Sequence, residues 1–184
     1  MNFLQTPLSG LILIEPQVYA DSRGFFFEAY NQKLFHQSKA GDHFVQDNQS
    51  NSSYGVIRGL HYQLQPHAQV KLVRVLTGRI FDVAVDIRKG SPTFGKWYGV
   101  ELSAENKKQL YIPAGFAHGF SVLSDTSDVL YKCNAFYNKE SEGGILYNDP
   151  TLKIDWKIKA GAEIVSEKDR HNALFPESKN NFSF

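Results

Sequence analysis

The stretch Gly55-Val56-Ile57-Arg58-Gly59-Leu60-His61-Tyr62-Gln63, followed by Lys71-Leu72-Val73-Arg74-Val75, decides the fold. Two runs rich in β-branched and apolar residues enclose a polar turn, which is the pattern of two neighbouring strands. Arg58, His61 and Lys71 interrupt these runs. Because burying an unpaired charge or imidazole is costly, we expect the three side chains to line a pocket in a β-barrel wall.

The composition bounds the class of protein. With 184 residues, of which 42% are hydrophobic and 14% aromatic, the chain is predicted to form one β-rich domain over residues 1–184, frayed after Asn180. A net charge of +1 provides no overall field for nucleic acid or an anionic membrane, so neither is expected as a partner. The single cysteine, Cys133, and an N-terminus without signal-peptide features predict a cytoplasmic location.

Short apolar runs separated by turn residues continue from Val56 onward, with little sign of helix. The predicted strands are Val56–Gln63, Val70–Leu76, Ile80–Ile87, Trp97–Leu102, Gln109–Ile112, Gly119–Leu123, Val129–Phe136 and Gly144–Tyr147. This pattern predicts an all-β double-sheet jelly roll or barrel with a few short helices.

The residues before this series predict three further elements. Leu11–Ile14 is an apolar run suited to an edge or dimer-facing strand. Phe25–Glu28 is predicted to be a strand, and Tyr30–Ala40 a short surface helix ended by Gly41.

The spacing of Arg58 and His61 is a difficulty for a shared pocket. The two residues are an odd number apart, so ideal alternation places them on opposite faces of a strand. Gly59 between them permits a β-bulge that would bring them to one side.

Seven segments in order resemble the dTDP-4-dehydrorhamnose 3,5-epimerase family. They are Asp21–Phe27, Phe44–Asn48, Val56–Gln63, Phe81–Arg88, Ser91–Gly95, Ile112–Phe120 and Leu130–Lys132. The resemblance extends from about Leu11 to Arg170. It implies a cupin-type barrel, no cofactor, a homodimer, and a dTDP-linked 4-keto-6-deoxy sugar as the substrate.

The resemblance also implies residue roles. His61 matches the proton acceptor, Tyr131 the proton donor, and Asp169 the carboxylate paired with the histidine. Lys71 matches a lysine near the substrate carbonyl, and Tyr137 an aromatic residue that stacks on thymine. Further ligand contacts are implied for Arg23, Glu28, Gln46, Asn48, Arg58, His118, Glu142 and Lys168.

The chemistry is consistent with these residue types. A carbonyl acidifies the neighbouring C–H bonds, so inversion of those carbons requires a base on one face, an acid on the other and a group that stabilises the enolate. Histidine, tyrosine and lysine suit the three tasks, and arginine suits a diphosphate.

Each residue also has an ordinary structural interpretation. Ser166-x-x-Asp169 is typical of a helix capping box, Tyr131 has the phase of a core residue, and Lys71 could be a solvated strand-end lysine. The remaining histidines lie in polar segments and are predicted to be at the surface: His36, His43, His67 and His171.

Three other functions are possible on this fold. They are a sugar-nucleotide 3,4-ketoisomerase, an epimerase that acts on one carbon only, and a carbohydrate-binding cupin without catalysis. The ketoisomerases usually carry paired histidines on one strand, whereas His61 is alone on its strand. Because the His-x-His pair and later glutamate of metal-binding cupins are also missing, we predict that no metal is bound.

Overall fold

Two facing β-sheets form the body of the molecule, which is described over residues 1–184 by a computed structural model. The strands are β1 Asn2–Gln5, β2 Ile12–Glu15, β3 Tyr19–Asp21, β4 Gly24–Phe26, β5 Gln46–Ser53, β6 Val56–Gln63, β7 Lys71–Thr77, β8 Arg79–Asp86, β9 Trp97–Ser103, β10 Gln109–Ile112, β11 Phe116–Val122, β12 Thr126–Cys133, β13 Glu142–Gly144 and β14 Ile164–Val165. The helices are α1 Gln32–Gln37 and α2 Glu167–Arg170, with 3-10 turns at Lys139–Ser141 and Phe175–Glu177.

The front sheet has the strand order β1-β2-β10-β7-β12-β5, and the back sheet β13-β6-β11-β8-β9. Strand β14 joins the back sheet parallel to β6, and β3 and β4 form a separate hairpin. The predicted all-β, cupin-type jelly roll with a few short helices is therefore confirmed.

Three apolar clusters hold the sheets in place. The first lies between them and includes Val73, Val129 and Phe120. The second covers the outer face of the back sheet with the C-terminal segment, through Trp156 and Phe182. The third covers the outer face of the front sheet beneath α1, where Phe35 is fully buried. Each sheet is thus covered on both faces over part of its width, and one end of the inter-sheet space is left open to polar residues.

The prediction of Leu11–Ile14 as an edge strand is wrong. Strand β2 lies between β1 and β10, and β1 forms the edge of the sheet. Leu13 packs into the inter-sheet cluster, whereas Ile12 and Ile14 pack under α1. A strand that is buried on both faces needs an unbroken apolar run, which is why its sequence has no polar alternation.

Several predicted boundaries shift by a few residues. Strand β12 begins at Thr126 and ends at Cys133, three residues earlier at each end than predicted, because Thr126–Asp128 pair with β5 despite their polarity. The predicted strand Gly144–Tyr147 is instead β13, which ends at Gly144. Helix α1 is shorter than predicted and starts after Asn31, whose side chain accepts a hydrogen bond from the Leu34 amide.

The last residues of the chain are packed rather than frayed. Phe182 is buried in the cluster on the back sheet, and the Phe184 amide donates to the Lys89 carbonyl. The Arg88 guanidinium lies 4.9 Å from the Phe184 ring centroid. Two aromatic side chains anchor this end, which its polar composition did not suggest.

A β-bulge at Gly59 resolves the spacing of Arg58 and His61. Strand β6 advances three residues, from Arg58 to His61, while its partner β11 advances two, from Phe120 to His118. Gly59 has a φ of +128°, and a Cβ there would lie 2.5 Å from the Cα of Gly119. The extra residue in β6 offsets the odd spacing between Arg58 and His61, so their side chains lie on the same side of the strand.

We expect Gly59→Ala to destabilise the fold by about 2 kcal/mol or more, because the new methyl meets backbone atoms and the backbone conformation disfavours a side chain. Thermal unfolding would measure the loss. Gly90→Ala is the matched control, since Gly90 also has a positive φ, of +84°, but nothing lies within 4 Å of the added Cβ. Equal losses in the two variants would contradict the packing argument.

Candidate active site

A cavity of about 300 Å³ opens between the two sheets at the polar end of the barrel. Both sheets contribute polar side chains to it. Its lining comprises Gln46, Asn48, His61, Tyr62, Gln63, Gln69, Lys71, Tyr131, Tyr137 and Glu142. Seven of the residues predicted to form the site therefore lie together, although they come from positions far apart in the chain.

His61 on β6 is paired with Asp169 on α2. The ring Nε2 lies 2.6 Å from Asp169 Oδ1, and Asp169 Oδ2 accepts a hydrogen bond from the Gly59 amide at 3.3 Å. Burial alone would raise the pKa of Asp169, but the hydrogen bonds from His61 and Gly59 hold it below its ordinary value. The carboxylate is therefore ionised at neutral pH and orients the imidazole, whose other edge faces the cavity.

The helix-capping interpretation of Asp169 is half correct. The Ser166 Oγ accepts a hydrogen bond from the Asp169 backbone amide at 3.1 Å, so Ser166 does cap α2. The Asp169 carboxylate, however, turns to His61 instead of back to the helix start. Short helix α2 serves to carry this carboxylate to β6.

Lys71 and Tyr131 come from the front sheet, on the side of the cavity opposite His61. They lie on the adjacent strands β7 and β12, with Lys71 Nζ 5.8 Å from the Tyr131 ring centroid. Burial lowers the pKa of Lys71, although nearby Cys133, Asp82 and Glu142 oppose the shift. Burial also raises the pKa of Tyr131, so its hydroxyl keeps its proton at neutral pH.

His118 lies behind the cavity lining, directly across from His61 in the β6–β11 pair. Its Nε2 is 2.7 Å from Asp82 Oδ1, and both side chains are buried. Burial lowers the pKa of His118, and the Asp82 carboxylate opposes this shift. Asp82 Oδ2 has no hydrogen-bond partner. His118 is therefore a buried neighbour of His61 that is not among the residues lining the cavity.

A polar chain forms the rim of the cavity. The Tyr137 hydroxyl donates to Glu142 Oε2 at 3.1 Å, and Glu142 Oε1 lies 2.5 Å from Lys168 Nζ. Exposed Arg58 lies in the adjoining cleft with Lys168 and donates to Ser52 Oγ at 3.0 Å. The rim therefore presents two cations and an exposed aromatic ring to an incoming ligand.

Arg23 and Glu28 lie outside this cavity. Arg23 is on the turn of the β3–β4 hairpin, 2.6 Å from Asp21, with its side chain 88% exposed. Glu28 follows the hairpin and accepts a hydrogen bond from Asn31. The single chain therefore does not bring these two predicted ligand contacts to His61. Local sequence could not show this, because their placement depends on how the hairpin docks.

Three cavity residues were not anticipated from sequence: the strand residue Tyr62 and the two amides Gln63 and Gln69. Neutral amides near a strand end carry no distinctive pattern, so only their position at the border of the cavity reveals them.

The four histidines predicted to be at the surface are exposed: His36, His43, His67 and His171. No group of three or more histidine, cysteine, aspartate or glutamate side chains is placed to hold a metal ion. None of the helices combines the length and apolar character needed to cross a membrane.

The fold and the cavity together define a cupin-type barrel in which a histidine–carboxylate pair faces a tyrosine and a lysine across the substrate space. A model of the family described as dTDP-4-dehydrorhamnose 3,5-epimerase matches residues 5–177. The chain belongs to this family, which confirms the resemblance seen in its sequence motifs.

Individual relatives agree with this assignment. The dTDP-4-dehydrorhamnose 3,5-epimerase of Shigella flexneri is 53% identical over 97% of this chain and 98% of its own. The crystal structure of the enzyme of that name from Elizabethkingia anophelis is 56% identical, with a TM-score of 0.93 over 98% of this chain and 99% of that one. A Legionella pneumophila epimerase in complex with dTDP-4-keto-L-rhamnose is 52% identical, with a TM-score of 0.91 over 96% and 93% of the two chains.

Proposed function

We propose that this chain inverts C3 and C5 of dTDP-4-dehydro-6-deoxy-D-glucose to form dTDP-4-dehydro-L-rhamnose, with His61 as the base and Tyr131 as the acid. One observation carries the proposal. His61, paired with Asp169 of α2, comes from the back sheet and Tyr131 from the front sheet, yet both His61 and Tyr131 line one cavity. A sugar ring between the sheets would be flanked by a base on one face and an acid on the other.

Each inversion then follows the same steps. His61 removes the proton from the carbon beside the carbonyl, and the electron pair of the C–H bond moves onto the carbonyl oxygen to form an enolate. Lys71 stabilises the developing negative charge, and Asp169 stabilises the imidazolium. Tyr131 delivers its proton to the opposite face of the same carbon, which reforms the ketone with inverted configuration. Exchange with solvent returns the proton from His61 and reprotonates Tyr131.

The rim supplies groups for the nucleotide. Arg58 and Lys168 are cations suited to the diphosphate, and Tyr137 presents an exposed ring for the thymine. Glu142 joins Tyr137 to Lys168 and positions both. Gln46 and Asn48 line the cavity as further ligand contacts that the family motifs imply, and His118, which the motifs also imply, lies buried beside His61. The net charge of the chain is only +1, so local cations rather than an overall field select an anionic ligand.

Arg23 and Glu28 fit this site only if the protein is a homodimer. Their hairpin exposes Tyr19, Phe25 and Phe26 to 63%, 61% and 67%. Clustered exposed aromatic side chains are typical of an interface. In a two-fold dimer the hairpin of one subunit could lie against the cavity of the other, so that Arg23 contacts the diphosphate bound there.

Proton exchange tests the function most directly. The protein would be mixed with the 4-keto sugar nucleotide in D2O, and the product examined by NMR. We expect deuterium at both C3 and C5 together with inverted stereochemistry at both carbons. Label at one carbon only would identify a single-carbon epimerase, and a shifted carbonyl a 3,4-ketoisomerase. Binding without label would leave only a carbohydrate-binding role.

Arg58→Ala should weaken dTDP binding by about 2 kcal/mol, the usual loss for a hydrogen bond to a charged group. Calorimetric titration with dTDP measures this. Arg79→Ala is a suitable control, because Arg79 is an exposed arginine at the start of β8 that does not line the cavity or its adjoining cleft. An unchanged affinity in Arg58→Ala would place the diphosphate elsewhere.

Mixed dimers test the contribution of Arg23 across subunits. Arg23→Ala and His61→Ala homodimers should each be nearly inactive. Random mixing of the two should restore roughly a quarter of the parental activity, since half of the dimers are mixed and each mixed dimer has one complete site. If Arg23 acted within its own subunit, no mixed site would be complete and activity would not return.

Treatment with EDTA should leave epimerisation unchanged. Lys71 lines the cavity and offers hydrogen-bond donors to the enolate oxygen, a role that a metal would otherwise fill. A loss of turnover after EDTA that a divalent ion restores would contradict this expectation.

We further propose a cytoplasmic location. The buried free thiol of Cys133 is suited to it, because the cytoplasm keeps thiols reduced.

A further inference from the structure

We propose that Gln63 and Gln69, together with Gln46, are positioning residues that hold the loop 135–138 in place and thereby set the Tyr137 ring before a nucleotide binds. The inference rests on the proposed function, because it assigns these amides to the nucleotide end of that site. It adds residues to which neither the family motifs nor the chemistry of epimerisation had assigned this role.

Every residue of the loop has a backbone group bonded to a glutamine side chain. Gln69 Nε2 donates to the Ala135 carbonyl at 2.8 Å, and Gln63 Nε2 donates to the Phe136 carbonyl at 3.3 Å. Gln46 Oε1 accepts from the Tyr137 amide at 3.1 Å, and Gln63 Oε1 accepts from the Asn138 amide at 2.7 Å. One backbone group in each of four successive residues is thus held by one of three glutamine side chains, and not by strand hydrogen bonds.

Apolar contacts do little to hold this loop. The side chains of Phe136 and Tyr137 are 70% and 56% exposed, so the loop gains little from apolar burial. A loop of this kind is ordinarily mobile. The three glutamines attach its backbone and leave the rings free to contact a ligand.

Two of the three glutamines, Gln63 and Gln46, are themselves fixed on strands. Gln63 ends β6, two residues after His61, and is 4% exposed; its Nε2 also donates to the His67 carbonyl at 2.7 Å. Gln46 begins β5, and its Nε2 donates to Asn48 Oδ1 at 2.9 Å. Through Gln63, the loop is therefore attached to β6, the same strand that carries the His61 imidazole.

The Tyr137 ring is restrained at both ends. Gln46 holds its backbone amide, and Glu142 accepts a hydrogen bond from its hydroxyl. A ring that is already in place loses less conformational freedom on binding, which improves affinity without any new contact. Amides suit this task because they donate and accept hydrogen bonds without adding charge beside a diphosphate.

The test measures dTDP affinity by calorimetry and, separately, the rate of hydrogen exchange at saturating 4-keto sugar nucleotide. Gln63→Met keeps the shape of the side chain and removes its hydrogen bonds. We expect it to raise the Kd for dTDP about tenfold, while the exchange rate at saturation stays within about twofold of the parent. Gln69→Met removes one hydrogen bond and should raise the Kd about threefold. Gln65→Met is the matched control, because Gln65 lies in the same turn, is exposed, and uses only its backbone in hydrogen bonds.

A double-mutant cycle identifies the route of the effect. If the glutamines act through Tyr137, adding Gln63→Met to Tyr137→Ala should weaken dTDP binding no further. Two results would overturn the proposal. One is a full additional loss of dTDP affinity in the double variant. The other is parental affinity in both Gln63→Met and Gln69→Met with unchanged melting temperatures. Gln69→Met keeps the test decisive if Gln63→Met folds poorly. Failure of the proposed function looks different, since the parent protein itself would then neither bind dTDP nor exchange the sugar protons.

Discussion

His61→Ala is expected to abolish both hydrogen exchange and epimerisation, with a rate loss on the order of 10³-fold. In the proposed mechanism the side chain removed is the base on its side of the cavity, and the side chains opposite it are a lysine and a protonated tyrosine. Exchange into the 4-keto sugar in D2O and product stereochemistry would be measured on the same samples. Retained exchange in this variant would show that another group removes the proton.

Asp169→Asn should slow the same two processes by roughly 10²-fold while the fold is kept. The carboxylate accepts the imidazole N–H at 2.6 Å. In the proposed mechanism it also stabilises the imidazolium that forms when His61 takes a proton. An amide can accept the Gly59 N–H in the same way but has no charge to offer. The loss should therefore fall on the exchange rate rather than on dTDP affinity.

Ser166→Ala separates this role from helix capping. It removes the hydroxyl that caps α2 but leaves the Asp169 carboxylate in place. We expect a stability loss of about 1 kcal/mol with exchange intact. If Asp169→Asn behaved in the same way, losing stability without slowing exchange, the carboxylate would be a structural cap only.

Tyr131→Phe is expected to separate exchange from inversion. In the proposed mechanism His61 removes the proton without help from the tyrosine, so deuterium should still enter the substrate. Return of a proton to the opposite face does require it, and inversion should fall by about 10²-fold or more. The quantity that decides is the ratio of inverted to exchanged product, measured by NMR in D2O. Inversion at the parental rate would show that another group is the acid.

Tyr111→Phe provides the matched control for the lost hydroxyl. Tyr111 is also a buried strand tyrosine, but its hydroxyl donates to Asp42 on the outer side of the front sheet. Its removal should lower the melting temperature and leave the ratio of inversion to exchange unchanged. The comparison of the two variants therefore separates the specific effect of losing the Tyr131 hydroxyl from the general effect of losing a buried tyrosine hydroxyl.

The two sheets have different tasks in this mechanism. The back sheet carries His61 and receives Asp169, while the front sheet carries Lys71 and Tyr131. Because the proposed acid and the proposed base belong to separate rigid layers, their distance depends on the packing of the inter-sheet core. Substitutions in that core, for example at Val73, are therefore able to affect inversion without touching substrate.

The sequence by itself determined the class of fold and most of the site. Alternating apolar runs and frequent turns define a double-sheet barrel because strand periodicity is a local property of the chain. The interruptions at Arg58, His61 and Lys71 point to a cavity for the same reason, since polar groups within buried strands need a polar space. The seven ordered motifs then specify the family.

Only the tertiary structure decided how distant residues meet. The His61–Asp169 contact joins positions 108 residues apart, and the bulge at Gly59 becomes visible only when β6 is paired with β11. Local sequence equally could not show that Arg23 lies away from His61 or that three glutamines hold the loop bearing Tyr137. Neighbouring residues determine periodicity and turns, whereas strand register and the docking of loops depend on packing across the whole barrel.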